Sequence, residues 1–589
     1  MTGDSSATGD ISSVTNQPPH SEQAPYCLVI CASDSRGGAG LQAALAQAAM
    51  LGVACRTVMT AVTVQSIDGV ESVTPMPISV IRAQIQAALK EGLPGTLLVG
   101  WLPSGDGLLP ALVEEIEALI NRGCRLIWDP VIRPSLGSFE SAQAVPVEVN
   151  SQAAQANDHA QDTKALSALS ALIRLSYVMS PSLTEANYLL QLARTNDREG
   201  LTSVECAANT AARQLRELGA HTVLVSGGDS VSEYSPAMDD GTLWLTDQVA
   251  STVNPEQPET AVLPEFAMHQ TRLEGSAHGT GSHLSAAIAM LLTRGERLYD
   301  ALLLASVRAR QCVQQREIAG VRMAPGDKAD NLVMPDVGDK STPDQGSSPN
   351  ACASQPQGTH GLCQSSDWPL VTPPQGHERL DFPRLNRALG LYALTDQVAQ
   401  VRALVLLGAQ SIQWRVKQPG PEYVRDTAEA LQVCRDAGVS FWINDDWQLA
   451  LSVRPDGVHL GQEDVCKADL KALADAGIGI GISTHTYWEV ARARALNPSY
   501  IAFGPVFSPL SKTLKYPTLG IERLREWVQG LPGHRFTCIG GIVPENAAAI
   551  AATGVGSLAV VTCIRPGPEQ EKNCLALHQA LENANTTPT

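Results

Sequence analysis

No apolar run in this 589-residue chain reaches the roughly 18 residues of a membrane span, because Gly, Thr and charged residues interrupt each one. No basic region leads into an apolar signal core either: the N-terminus reads Asp4, Ser5, Ser6 and then Pro18-Pro19. Both absences point to a protein of the cytoplasm that makes no membrane contact. Basic residues are in deficit too. Lys and Arg number 42 against 60 Asp and Glu, leaving a net charge of -18 and a pI near 5.1. Non-specific nucleic-acid binding needs a basic footprint, so that class is excluded. Small anionic substrates are not, since a local group of cations can hold phosphate inside an acidic protein. The thirteen cysteines also lack a pattern: they are odd in number, scattered, and mostly inside apolar runs such as Phe536-Thr537-Cys538-Ile539. Cys27 and Cys31 share a strand face, but four strand steps place them roughly 13 Å apart, too far to ligate one metal. No spacing resembles a zinc site, and the cysteines read as small core hydrophobes in a reducing compartment.

What is present is a globular composition, 44% hydrophobic and 17% charged, in a chain too long for one ordinary core. Five segments are expected: a disordered leader over 1–24, an α/β unit over 25–315, a partly disordered linker over 316–385, a barrel over 386–582 and a short disordered tail over 583–589. In the first unit, strand-like pieces at Leu28–Cys31, Leu126–Trp128, Tyr177–Met179 and Thr222–Val225 alternate with helical stretches such as Leu41–Leu51 and Val204–Leu218. From about Pro335 to Gly376 periodicity is lost among Gly, Ser, Asp and Pro. From Leu391 it returns. Strands are expected to start near Leu391, Ser411, Ser440, Gly457, Ile478, Tyr500, Phe536 and Ser557, with helix-compatible stretches at Tyr423–Asp436, Ala468–Asp475, Trp488–Leu496, Ile521–Val528 and Glu545–Thr553. Eight such units within about 200 residues are what a (β/α)₈ barrel requires.

Polar motifs close the barrel strands. Gln413, Arg415 and Lys417 alternate, so period two directs all three to one side as an anion clamp; the alternative is a set of solvated strand-end charges. Asp445 and Asp464 end two successive strands, and paired hard carboxylates suit Mg²⁺; the alternative is a pair of solvated turn acids. Gly540-Gly541 and Val560-Val561-Thr562 follow strands seven and eight, where this fold recurrently binds phosphate through backbone N–H groups. Asn546 belongs to the first turn of the next helix. Ser511-Lys512 lies in a long loop after strand six that can close over a ligand.

Leu391-Tyr392-Ala393-Leu394-Thr395-Asp396 and Gly457-Val458-His459-Leu460-Gly461-Gln462-Glu463-Asp464 resemble motifs of thiamine-phosphate synthase, and the resemblance covers residues 391–565. It implies joining 4-amino-2-methyl-5-hydroxymethylpyrimidine diphosphate to a thiazole phosphate with release of pyrophosphate. It further implies that Gln413, Arg415, Lys417, Asn444, Ser511 and Lys512 hold the diphosphate and that Asp445 and Asp464 hold Mg²⁺. Ser483 would contact the pyrimidine, and Gly541, Val561 and Thr562 the thiazole phosphate. Pro509 stands where the family has a threonine.

Residues 26–305 resemble hydroxymethylpyrimidine/phosphomethylpyrimidine kinase, of the ribokinase-like α/β fold. The residues that carry this are Ser33-Asp34-Ser35-Arg36-Gly37-Gly38-Ala39-Gly40-Leu41-Gln42-Ala43, Thr60 to Gln65, Asp129-Pro130-Val131 and His278-Gly279-Thr280-Gly281-Ser282. The resemblance implies ATP as co-substrate, Asp34 and Gln65 on the pyrimidine, an anion hole at Gly279 and Gly281, and Ser282 as the catalytic position. Glu185 would stand beside the metal. Four positions depart from the family: Ala44 replaces the pyrimidine-binding aspartate, Ser182 an asparagine of the magnesium-associated motif, Ser226 a lysine and Ser282 a cysteine. A serine is a poor proton acceptor unless something activates it. The sequence therefore leaves two readings of this unit, a working kinase and a degenerate pyrimidine-binding, regulatory or scaffold module. Self-association stays open.

Overall fold

A computed structural model describes residues 24–66, 69–103, 108–131, 156–195, 206–227, 244–253, 262–271, 279–318, 368–376, 380–508 and 516–586. Among these residues the first unit is built on ten strands: β1 Tyr26–Ser33, β2 Ala54–Ser66, β3 Gly69–Pro75, β4 Thr96–Val99, β5 Arg125–Trp128, β6 Ser176–Met179, β7 Thr222–Val225, β8 Trp244–Ser251, β9 Glu265–Thr271 and β10 Leu370–Thr372. They lie side by side as β10-β9-β8-β7-β6-β5-β4-β1-β2-β3. The run from β7 to β2 is parallel, and antiparallel strands extend both edges. β1 explains the centre: its residues Tyr26 to Ala32 are all buried, as an unbroken apolar strand must be when helices cover both faces. One of those covering helices, Thr280–Thr293, is buried from His283 to Thr293.

The second unit closes on itself. β11 Gly390–Thr395, β12 Ser411–Trp414, β13 Ser440–Asn444, β14 Gly457–Leu460, β15 Gly479–Thr484, β16 Tyr500–Phe503, β17 Phe536–Ile539 and β18 Ser557–Val560 form a closed parallel barrel in chain order. The last strand returns to the first through Ala559↔Tyr392. Both expected fold classes are therefore present. Helix boundaries moved slightly: the stretch expected from Val204 is described as the helix Ala208–Glu217, with 201–205 outside the described residues.

The stretch expected to be linker contributes structure at both ends. The helix Leu298–Ile318 runs past 315, and Leu370–Thr372 pairs antiparallel with β9. Similarly, the helix Gln570–Thr586 enters the expected tail. β10 joins the two units. Thr372 Oγ1 meets His269 Nε2 at 2.8 Å in the sheet, while Arg494 of the barrel helix Tyr487–Ala495 donates to the Trp368 carbonyl at 3.2 Å. The Trp368 ring lies 5.4 Å from that of Tyr487. Beside it Phe266, Tyr299 and Trp488 pack together with centroids 4.7 to 5.6 Å apart, edge-on or tilted, the geometry that aromatic quadrupoles favour. The Trp488 backbone N–H donates to buried Asp300 at 2.9 Å. One apolar core thus runs through both units. No helix among the described residues is long and apolar enough to cross a membrane.

His534, just before β17, has its pKa pushed down to about 4, first by burial and then by the Arg494 and Arg384 charges. The unfolded chain keeps the usual value near 6.5. Between those values the unfolded state binds the extra proton, so stability falls as pH drops through that window. We expect His534→Gln to lose less stability than wild type between pH 7 and pH 4.5, the difference approaching about 1 kcal/mol or more. Urea unfolding at several pH values checks this; parallel stability curves for the two proteins would refute it.

Candidate functional sites

The barrel interior is polar along one path. Gln413 Nε2 donates to the Tyr392 hydroxyl at 3.1 Å, and Tyr392 and Tyr500 share a hydroxyl contact of 2.9 Å. Tyr500 meets His459 Nδ1 at 2.8 Å, and His459 Nε2 meets Ser483 Oγ at 2.8 Å. Space for the rings comes from glycine. A Cβ on Gly481 would lie 2.1 Å from the Tyr500 ring, and one on Gly457 would lie 2.0 Å from that of Trp442. Burial holds His459 down to about 3, with Arg415 and His485 adding to the effect. The imidazole is therefore neutral at physiological pH, with one nitrogen donating and the other accepting. Ser483 is pinned a second time, because Gln462 Nε2 donates to its carbonyl at 2.8 Å. Gln462 is itself held by Arg492 at 2.7 Å. Sequence reading missed Tyr392, Tyr500, His459, Gln462 and Arg492 as parts of the site. The available signal was hydroxyls and imidazole at inward positions of strands that otherwise present apolar or small residues.

Above this path lie the charges. The expected alternation of Gln413, Arg415 and Lys417 is corrected: β12 ends at Trp414, so period two governs only Gln413, which is buried. Arg415 and Lys417 leave the strand and are exposed in the following loop. Arg415 still acts at the mouth, since its charge lowers the pKa of Asp445. Asp445 directly follows β13 and has φ 63, in the left-handed region that costs a non-glycine residue roughly 1–3 kcal/mol. Its N–H is tied to the His459 carbonyl at 2.9 Å. Asp464 comes from the short helix Gln462–Val465 after β14. The Asp445 pKa is raised, chiefly by burial and then by repulsion from Asp464; the Asn444 hydrogen bond, Arg415 and Lys467 oppose this. Two carboxylates that repel each other at a strained backbone position fit a divalent cation. Among the described residues no group of three or more His, Cys, Asp and Glu forms a metal cluster. Paired hard carboxylates of this kind suit Mg²⁺, which stays partly hydrated.

Gly540 and Gly541 have φ 109 and 63, and Cβ atoms there would strike Pro505 at 2.6 Å and Phe507 at 2.7 Å. The loops after β16 and β17 are thus pressed together, and Asn546 in the first turn of its helix donates to the Gly541 carbonyl at 2.8 Å. Val561 and Thr562 directly follow β18. Ser511, Lys512 and Pro509 lie outside the described residues.

In the first unit the glycine turn and the start of the helix Thr280–Thr293 touch: Gly279 has φ 82, and a Cβ there would lie 1.9 Å from the Gly38 carbonyl. Gly281 has no neighbour in that direction, so its role is not steric. Asp34 is engaged within its own turn. Its carboxylate accepts from the N–H groups of Arg36, Gly38 and Ala39 at 2.8 to 3.0 Å and holds the turn in shape. Gln65 is tied to Thr63 at 2.9 Å. Glu185 also serves locally: Oε2 accepts from the Ser182 N–H and hydroxyl, both at 2.8 Å, a capping box on the helix Leu183–Thr195. Ser226 donates its N–H to the Pro181 carbonyl at 3.0 Å. His278 and Gly228 lie outside the described residues. The residue that sequence reading undervalued is Asp129. It is buried at the end of β5 and accepts from Ser282 Oγ at 3.4 Å and Ser285 Oγ at 3.1 Å. Burial, then Glu185, raises it to about 7, against the two serine hydrogen bonds.

The chain compares with known proteins in two parts. Residues 391–564 match the family model for thiamine monophosphate synthase, and residues 34–325 that for phosphomethylpyrimidine kinase. The thiamine-phosphate synthases of Salmonella paratyphi B and Enterobacter sp. are 42% and 41% identical over 185 residues, 31% of this chain and 88% of theirs. Among solved structures, a thiamine phosphate pyrophosphorylase from Pyrococcus furiosus is 29% identical, spanning 33% of this chain and 96% of its own, with a TM-score of 0.31. A phosphomethylpyrimidine kinase from Clostridium difficile 630 is 20% identical, spanning 49% and 99%, with a TM-score of 0.34.

Ala44 has no exposed surface and packs in the apolar core with Cys31, Leu41 and Ala48. An aspartate there desolvates a carboxylate among apolar groups instead of presenting it to a ligand. We expect Ala44→Asp to destabilise the first unit by about 2–5 kcal/mol, read as a lowered thermal midpoint. An unchanged midpoint would show that this position opens to solvent.

Proposed function

Because the chain belongs to the thiamine-phosphate synthase family through residues 391–564 and carries a phosphomethylpyrimidine kinase domain over residues 34–325, we propose that it performs consecutive steps of thiamine biosynthesis on one polypeptide. The kinase domain phosphorylates hydroxymethylpyrimidine and its monophosphate with ATP. The barrel condenses the resulting diphosphate with 4-methyl-5-(2-phosphoethyl)thiazole, forming thiamine phosphate and pyrophosphate. The observation that carries the site assignment is the strained Asp445, repelled by Asp464 and attracted by Arg415, with its N–H on the carbonyl of His459, which in turn meets Ser483.

Asp445 and Asp464 are the residues that hold Mg²⁺. Bound there, the ion neutralises diphosphate charge. Arg415, Lys417 and Asn444 bind the diphosphate, joined by Ser511 and Lys512 of the loop after β16. As the C–O bond to the diphosphate breaks, negative charge grows on the leaving group. Arg415 and Lys417 therefore stabilise the transition state more than the ground state. Ser483, its hydroxyl directed by neutral His459, orients the aminopyrimidine, whose ring spreads the positive charge left on the methylene. The thiazole nitrogen attacks that methylene, and no covalent protein intermediate is needed. Gly541, Val561 and Thr562 hold the thiazole phosphate, with the left-handed glycines turning backbone N–H groups toward it.

In the kinase domain the missing thiol is replaced by a relay. Ser282 stands in the first turn of the helix Thr280–Thr293, beside the anion hole at Gly279. It donates to Asp129, whose carboxyl is held near neutrality and takes the proton of the attacking hydroxyl. Gln65 stands beside the glycine turn, where it can read the pyrimidine edge.

Asp445→Asn conserves volume but removes a ligand charge. We expect thiamine phosphate formation to slow by about 10²–10³, with thermal unfolding preserved, and EDTA to abolish the wild-type reaction. Single-turnover rates equal to wild type, or insensitive to EDTA, would refute the metal assignment. For the kinase, Asp129→Asn should lower ADP formation by about 10²–10⁴. Adding Ser282→Cys should recover part of the loss, because a thiolate can take the proton directly. Full activity in Asp129→Asn would place the proton acceptor elsewhere.

A further inference from the structure

The kinase domain reaches the mouth of the barrel. The turn between its helices Thr280–Thr293 and Leu298–Ile318 presents Arg297, whose guanidinium lies 5.3 Å from the centroid of the Tyr516 ring. Tyr516 belongs to the barrel, four residues after Lys512 in the chain. Its ring is stacked on His485, with centroids 4.4 Å apart and planes 11° from parallel. His485 is held in turn by buried Glu489, whose Oε2 meets the His485 backbone nitrogen at 2.7 Å and its Nδ1 at 2.8 Å. His485 stands two residues beyond Ser483, directly after β15.

The turn is anchored independently of Arg297. Asp300 accepts the Trp488 N–H at 2.9 Å, and Glu296 and Asp300 both act on Arg523, which lies 5.4 Å from the Tyr487 ring. A guanidinium fixed in that turn therefore has a set position over the tyrosine, and the attraction between cation and aromatic face is directional. The same helix, Thr280–Thr293, starts at Gly279 beside the glycine turn and ends four residues before Arg297.

We propose that Arg297 is a positioning residue for the synthase reaction: the kinase domain supplies the cation that holds Tyr516, and through it His485, at the barrel mouth beside Ser483. The inference rests on the reading of the barrel as the synthase. The two domains then cooperate physically at the second reaction, in addition to sharing an intermediate. Arg297 acts through Tyr516 and contacts neither substrate.

The test uses the full chain, supplied directly with pyrimidine diphosphate and thiazole phosphate so that the kinase step is bypassed. Arg297→Ala, Arg297→Lys, Tyr516→Leu and the Arg297→Ala/Tyr516→Leu double variant are compared for synthase kcat and KM. Arg297→Ala should lower kcat/KM by about fivefold, mostly through KM for the diphosphate, while ADP formation by the kinase and the thermal midpoint stay at wild-type values. Arg297→Lys should keep most of the activity. The double variant should be no worse than the poorer single one, because both remove the same contact. Unchanged kcat and KM in Arg297→Ala overturn the inference, as do losses that multiply in the double variant or an equal loss of kinase activity. A wild-type chain that forms no thiamine phosphate would overturn the synthase reading and this inference with it.

Discussion

Two tyrosine hydroxyls meet 2.9 Å apart inside the closed barrel, and the arrangement of the mouth depends on that contact. A buried hydroxyl left without a partner costs about 1–3 kcal/mol. Tyr392 and Tyr500 avoid that cost by drawing in Gln413 on one side and His459 on the other. His459 then has a nitrogen committed to Tyr500, which directs the other to Ser483. The path needs room, and Gly481 supplies it where any side chain would collide with the Tyr500 ring. Polar satisfaction and packing are thus a single constraint, carrying orientation from the centre of the barrel to the residue assigned to the pyrimidine.

The charges above obey a different rule. The protein is acidic overall, yet the mouth pairs exposed cations with two carboxylates that repel each other. Under the proposed function, that local arrangement and not net charge is what receives phosphate. The kinase site is similarly local: Asp34 shapes the turn, Gly279 admits the turn against the helix, and Asp129 receives the serine hydrogen bond. Between the two units lies a buried junction of Phe266, Tyr299 and Trp488, which makes one apolar core of two folds. Strand β10 reinforces it from the linker side, pairing with the kinase sheet while Trp368 rests on the barrel helix.

Much of the architecture was legible along the chain. Six of the eight barrel strands begin at the expected residue and the other two within one residue of it, because each is a short apolar run closed by polar or glycine residues. The placing of Asp445 directly after β13, of Gly540 and Gly541 directly after β17, and of Asp464 in the turn beyond β14 was also legible, since each closes a short apolar run. The failures share a cause. Arg415 and Lys417 were read by strand periodicity, which ends where the strand ends, at Trp414. Asp34 and Glu185, expected at the substrate and beside the metal, also accept from backbone N–H groups of their own loops, a local tie that residue type alone does not reveal. β10 was invisible because three residues among Pro, Ser and Gly carry no period, and only the free edge of β9 makes them a strand.

The sequence by itself determined the two fold classes, the succession of barrel strands and the chemical kinds of residue at their ends, because hydrophobic periodicity and turn residues are local properties of the chain. Tertiary structure alone decided which of those residues meet. The Tyr392–Tyr500 contact spans 108 residues, Ser282–Asp129 spans 153 and Asp300–Trp488 spans 188. No local pattern encodes such pairs. They exist because barrel closure, the central helix and the aromatic junction bring distant backbone into register, and buried polar groups then take the partners that the packing leaves within reach.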